Sequence, residues 1–526
     1  MPIQLEADAR SEGKPLTHFW SVCVGAGRAN EGLRAGWLEQ MKVVVEHCGF
    51  QYVRFHGLFH DDMFVYRETD GEAVYNFQYI DDLFDRLLEI GVRPFVEFGF
   101  CPKDLASGPE TVFWWKGNTA PPKDYLKWSA LIRSCAIHWI DRYGLDEVRK
   151  WYFEVWNEPN LKDFFHGTRK QYFELYKTTA LTLKSVDSLL RVGGPATSNF
   201  VPDARFDGEK EDISCHAVVT KAEKLDLLEW RPVWIEPFLA YCSREKLPVD
   251  FVSTHPYPTD WPLDGKGRLQ KYTRGSEATI TDLKLLRKLI NNGPYDQAEV
   301  HLTEWNSSPS PRDFTHDYIQ AATYIAKVNL ESTGLVNSLS YWTFTDVFEE
   351  LGGGDTLFHG GFGLINYHGI VKPAFHAYRF LHALGDEILA RVKGGIVTRE
   401  SSTQRIRALF YHYPNEMRQA PPISEGTRQK ADEVLAMGTP DSIVVKIKGM
   451  RPNAVMVVET LDETHGNAMH AWREAGSPES PTREQTEAIR REALAVLRET
   501  HACDKNGVFT WKRPIQPWSL VFIKEL

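Results

Sequence analysis

The sequence predicts a (β/α)8 barrel of the TIM type followed by a small antiparallel β-sandwich. Over roughly the first 385 residues, eight short β-rich runs alternate with amphipathic helical stretches. No Gly-x-Gly-x-x-Gly follows the first run, which argues against a doubly wound dinucleotide-binding sheet. From about Asp386 the long helices stop and short β runs follow one another.

The expected barrel strands are "FWSVCVG", "YVRFHG", "RPFVEFGF", "WYFEVWNE", "RVGGPA", "FVSTHPYP", "VHLTEW" and "LSYWTFTD". Several are continuous apolar runs, as expected of parallel strands covered on both faces. The first four are followed by amphipathic helices. One of these ends at Gly91, a C-terminal cap, and another begins at a proline, which suits a first helical turn. Comparable helices precede strands six, seven and eight, and "VKPAFHAYRFLHALG" closes the set. This places the barrel over residues 15–385 and the sandwich over 386–526, with residues 1–14 as a candidate extra strand. Polar inserts at 415–440 and 465–503 interrupt the sandwich. The second contains a helix, "SPTREQTEAIRREALAVLRE", whose Thr482 and Gln485 are spaced as a capping box.

Composition narrows the function classes. A net charge of −10 and the lack of a long basic run argue against a nucleic-acid partner. No stretch reaches the roughly 18 apolar residues of a membrane span. No signal sequence is visible, and the seven scattered cysteines read as reduced buried thiols, so the expectation is a cytoplasmic protein. Sixteen Trp, 20 Tyr and 29 Phe suit both a large core and a cleft that stacks on sugars.

In such a barrel the site forms at the C-terminal ends of the strands. Strand four ends on Asn157-Glu158 and strand seven on Glu304. His56, His255 with Tyr257, and Trp342 with Asp346 lie at the ends of strands two, six and eight. Two carboxyls facing each other across a sugar are the equipment of glycoside hydrolysis, one as proton donor and the other as nucleophile. Glu97 and Glu154 are rival carboxyls, but Arg54 is a ready partner for one of them and both read as structural. The histidines show no metal-ligand spacing, and this chemistry needs neither metal nor cofactor.

The segments "YVRFHGLFHDD", "FVEFGFCPKDLASG", "FEVWNEPNL", "STHPYP", "LTEWNSSPSPRD" and "YWTFTDVFEELG" resemble, in order, a family 39 glycoside hydrolase, the group of β-xylosidases and α-L-iduronidases. The resemblance spans roughly residues 15–385. It implies a retaining mechanism with Glu158 as acid/base and Glu304 as nucleophile. It further implies that Asn157 holds the sugar 2-hydroxyl, Tyr257 orients the nucleophile, and His56, His255 and Glu349 bind hydroxyls, with Trp342 as the stacking floor. The chain departs from the family at Phe164-Phe165, where an aromatic pair ending in Trp is common, and in the loop after Glu304.

A uronic acid would need a cation near the ring, and Lys103 and Arg312 are the nearest basic residues in these segments. The expected substrate is therefore a neutral xylo-oligosaccharide, cut from its non-reducing end. An iduronidase-like or other β-glycosidase and an inactive sugar-binding protein are the alternatives. The loops at 103–120 and 257–275 are expected to close the pocket, with the rings of "TVFWWKGN" as candidate walls. Oligomeric state is left open.

Overall fold

The structure, a computed structural model, describes residues 2–198, 200, 201, 209, 230–260 and 272–526. Eight parallel strands close into a barrel: Cys23–Arg28, Tyr52–His56, Arg93–Phe98, Tyr152–Val155, Arg191–Ser198, Phe251–His255, Glu299–Trp305 and Ser338–Tyr341. They pair in sequence order, the eighth returning to the first through Tyr341 and Val24. Each strand is almost wholly buried, consistent with the unbroken apolar runs.

The helix following the second strand, Gln78–Ile90, ends at Gly91 with φ 92°. Only a residue without a Cβ adopts that conformation cheaply, so the chain turns there into strand three. The first strand begins later than the sequence suggests. Phe19–Ser21 form a buried 3-10 turn, and the strand starts at Cys23.

Trp37, Trp128, Trp139, Trp151, Trp156 and Trp305 are all fully buried between barrel and helices. Burying rings of this size contributes about 4–6 kcal/mol each before entropy is subtracted, so these aromatics serve the core.

Two further sheets form the second layer system. One has seven strands, ordered Lys14–Pro15, Glu387–Val392, Gly395–Arg399, Ile406–Tyr411, Leu520–Glu525, Val455–Leu461 and Leu497–Ala502. The other has three: Ile3–Asp8, Asp441–Lys448 and Phe509–Ile515. Leu5, Val397, Phe410, Val445, Met456, Trp511 and Ile523 fill the space between them. Ile3–Asp8 pairs with Asp441–Lys448 in parallel, so this sandwich is not wholly antiparallel.

The helix in the second insert runs only from Arg483 to Leu494. Residues 497–499, read from sequence as its continuation, instead begin the edge strand Leu497–Ala502 against Val455–Leu461. Helical periodicity carried no warning, because the free edge they cover lies far away in sequence. The first insert contains the helix Arg428–Leu435 and docks on the barrel. Ser424 accepts from Phe314 N–H and Gln320 donates to Ala431 O, at 2.7 and 2.9 Å.

Six cysteines among the described residues are unpaired and buried. No helix among the described residues is long and apolar enough to cross a membrane.

Candidate active site

After Val155 the chain leaves the sheet through two residues of positive φ, Trp156 at 71° and Glu158 at 44°. A residue before proline normally sits in the extended region, so this geometry at Glu158 is unfavourable by about 1–2 kcal/mol. Glu158 N–H donates to Ala196 O at 2.8 Å and Leu161 N–H donates to Glu158 O at 3.0 Å, which offsets that cost. The result turns the Glu158 side chain over the barrel mouth.

Arg54, on strand two, organises the floor. It is fully buried and touches three carboxylates: Glu97 at 2.9 Å, Glu154 at 2.5 Å and Glu304 at 2.8 Å. Its remaining nitrogen contact is Asn157 Oδ1, at 2.9 Å. A buried guanidinium is tolerable only when its planar donors are satisfied, and here they are satisfied by groups from three other strands and their ends. Glu97 also takes His56 Nδ1 at 2.6 Å. Glu97 and Glu154 therefore hold Arg54 and His56, leaving Glu304 at the mouth side of the cluster.

Glu304 receives the Tyr257 hydroxyl at 3.2 Å and lies 3.6 Å from His56 Nε2. Glu158 meets His255 Nδ1 at 3.0 Å. One oxygen of Glu158, one of Glu304 and a nitrogen of His255 all lie within 4.8 Å of one another. Burial, and then the Glu304 charge, push the Glu158 carboxyl well above its usual range. Burial raises Glu304 too, but Arg54 and His56 pull it back. The two environments differ in the charge that acts most strongly: the Arg54 guanidinium, 2.8 Å away, lowers Glu304, whereas the Glu304 charge raises Glu158. Burial, then Arg54 and His56, hold His255 well below its ordinary value, so it is neutral.

Trp342 is buried and packs on His56 with ring centres 4.9 Å apart. Its backbone is pinned by Trp305 O at 3.0 Å and by Asn306 Nδ2 at 2.7 Å. From the 103–120 loop, Phe113 stacks near His56 at 5.9 Å and Trp115 packs on Phe100 and Phe113, while Trp114 stands 63 % exposed. Phe164 meets Phe113 edge-on at 5.4 Å, and Phe165 is buried against Trp156. Much of the 257–275 loop lies outside the described residues.

Two expected residues stand elsewhere. Glu349 turns away: Arg34 grips both its oxygens at 2.7 and 3.0 Å and Arg28 adds a third contact at 3.1 Å. Burial works against ionisation, but those hydrogen bonds hold its carboxyl below the usual range. Its neighbour Glu350 reaches the cluster instead, 3.8 Å from His56 Nε2. Burial, then Glu304 and Glu31, raise Glu350 well above the usual carboxylate range. The acidic pair was visible in "VFEELG", but which member points inward depends on where Arg28 and Arg34 sit. Asp346 also leaves the site, held with Asp317 on the buried Lys372 at 2.6 and 2.7 Å.

Arg312 binds the carbonyls of Gly352 and Gly353 at 3.3 and 3.1 Å, and Lys103 is exposed. Neither makes a described contact with the carboxyl cluster.

A closed eight-stranded parallel barrel with opposed carboxyls at its strand ends defines a (β/α)8 glycoside hydrolase. The profile of Glycosyl hydrolases family 39 matches residues 3–510, and the chain belongs to that family. It is 40 % identical over 490 residues to a β-xylosidase of Geobacillus stearothermophilus, covering 91 % of this chain and 87 % of that one. A β-xylosidase of Caldicellulosiruptor saccharolyticus is 37 % identical over 514 residues, covering 97 % and 95 %. The crystal structure of a monomeric β-xylosidase from Caulobacter crescentus superposes with a TM-score of 0.84 at 30 % identity, covering 99 % of both chains.

Proposed function

We propose that this chain is a retaining β-D-xylosidase that releases xylose from the non-reducing ends of short xylo-oligosaccharides. Glu304 attacks the anomeric carbon while Glu158 gives its proton to the departing oxygen, leaving a xylosyl ester on Glu304. Glu158, now a carboxylate, then takes a proton from the water that attacks the anomeric carbon and frees Glu304.

The observation that carries this reading is that one oxygen of each carboxyl lies within 4.8 Å of the other, with Arg54 held against Glu304 and the Glu304 charge acting on Glu158. That separation fits direct attack by one carboxyl, whereas the 6.5–9.5 Å of inverting enzymes leaves room for a water between them. Asn157 Oδ1 is taken by Arg54, which leaves its amide N–H2 to donate to the sugar 2-hydroxyl. Glu350 takes the hydroxyl-binding role first assigned to Glu349, alongside His56, and Trp342 is the stacking floor.

A neutral sugar is favoured by charge. Arg54 is saturated by three carboxylates, and Arg28 and Arg34 are committed to Glu349. A uronate would add a second negative charge beside Glu304, on which Arg54 is already spent. The relatives of high coverage are β-xylosidases, which supports the same choice.

The test compares wild type and Glu158→Ala on aryl β-D-xylosides. The variant should be nearly inactive on poor leaving groups, largely active on activated ones, and accelerated by azide with formation of β-xylosyl azide. A wild type that ignores aryl xylosides removes the substrate assignment. Full activity of Glu158→Ala on poor leaving groups removes the acid assignment.

A further inference from the structure

We propose that Thr303 and Glu154 act as positioning residues that select the tautomer of His255 and thereby keep Glu158 loaded with the proton it donates. The proposal rests on Glu158 being the acid of the reaction and adds what sets its protonation.

The chain of contacts starts at Glu154, fully buried on strand four. Its Oε2 receives Arg54 Nε at 2.5 Å and its Oε1 receives the Thr303 hydroxyl at 2.8 Å. A carboxylate pressed against a guanidinium can only accept. The single proton of Thr303 is therefore committed to Glu154. Thr303 Oγ1 also lies 2.8 Å from His255 Nε2, and with its proton spent it can only accept there. His255 must then carry its hydrogen on Nε2. A neutral imidazole has one N–H, so Nδ1 presents a lone pair.

That lone pair faces Glu158 Oε1 at 3.0 Å. Two acceptors at this distance would repel, so the contact is a hydrogen bond only when Glu158 holds a proton and donates it. The other groups facing Glu158 are the carboxyls of Glu304, Glu97 and Glu350, Arg54 as the cation, and the Tyr257 hydroxyl. His255 is faced in addition by Arg54, by His56 and, 3.7 Å from Nδ1, by Glu304 Oε1.

The strand geometry that permits this is local. Pairing between strands seven and eight slips between Leu302 and Trp305. A bulge of this kind breaks the two-residue alternation, so the consecutive Thr303 and Glu304 both reach the barrel interior. One serves the acid side and the other the nucleophile side. During the second half of the reaction the Glu158 carboxylate faces the same lone pair, which keeps it basic enough to take the proton from water.

The experiment measures kcat/KM against pH for wild type, Thr303→Val and Thr303→Ser on an aryl xyloside with a poor leaving group. Valine keeps the shape but frees His255 to place its hydrogen on Nδ1 and donate to a Glu158 carboxylate. The basic limb should then fall by on the order of one pH unit. Thr303→Ser should keep the wild-type limb, and an activated leaving group should show no shift in Thr303→Val. An unmoved limb in Thr303→Val, or the same displacement in both variants, overturns the relay. Neutron diffraction of the wild type decides independently of activity. Deuterium on His255 Nε2 and on Glu158 is expected, and deuterium on Nδ1 overturns the proposal. If wild type fails on every xyloside, the functional reading falls while the neutron result still stands for or against the relay.

Discussion

A methyl group at Gly25 tests how tightly the pocket floor is held. Gly25 lies in the first barrel strand, directly beneath Trp342. A Cβ built there comes 2.4 Å from Trp342 Cε3, 3.0 Å from Cζ3 and 3.1 Å from Tyr341 O. Ordinary contact begins near 3.4 Å, so the shortfall is about 1 Å. The backbone cannot supply it readily. Gly25 is paired with Arg54, its carbonyl accepts from Phe344 N–H at 3.0 Å, and Trp342 is anchored by Trp305 and Asn306. The indole must move instead, toward His56 and the space the sugar ring would occupy.

A displacement of about 1 Å at a positioning group costs roughly 100-fold in rate, while overpacking of this kind lowers stability by about 1–3 kcal/mol. Gly25→Ala should therefore stay folded and lose most of its kcat/KM on an aryl xyloside. The control is Gly36→Ala, in the helix Ala35–Cys48, where a Cβ meets nothing within 4 Å. It should keep activity and gain about 0.5–1 kcal/mol in urea unfolding. Wild-type kcat/KM in Gly25→Ala would refute the packing argument.

Two other outcomes follow from the electrostatics. Because the folded-state pKa of Glu158 is raised, the folded protein keeps a proton that the unfolded chain sheds, and stability falls as pH rises from the usual carboxylate range to the elevated value. Glu158→Gln has no such proton, so urea unfolding should show it gaining on wild type across that window, by about 1.4 kcal/mol per unit of elevation, and a pH-independent difference contradicts this. Glu350→Gln should lower kcat/KM by roughly 3- to 10-fold, the weight of a neutral hydrogen bond, and Glu349→Gln should change it little because its carboxylate is spent on Arg28 and Arg34. Equal losses in the two variants would show that the acidic pair is misassigned.

Much of this molecule is written in local pattern. Continuous apolar runs alternating with amphipathic helices dictate a covered parallel sheet, and the strand ends at Glu158 and Glu304 follow, because a barrel gathers its strand ends at one mouth. Local pattern is silent where the deciding partner is distant in the chain. Leu497–Ala502 became a strand because Val455–Leu461 offered an edge. Glu349 and Glu350 are chemically identical neighbours, separated only by the arginines that claim one of them. Thr303 carried no signal at all. Its hydroxyl matters because Glu154, 149 residues earlier, and His255, 48 residues earlier, arrive at its two sides. Residue types and periodicity thus determined the barrel and its pair of carboxyls. Which groups surround each carboxyl, and hence which one holds a proton, was decided only when the closed barrel brought strands two, four, six and seven within hydrogen-bonding distance.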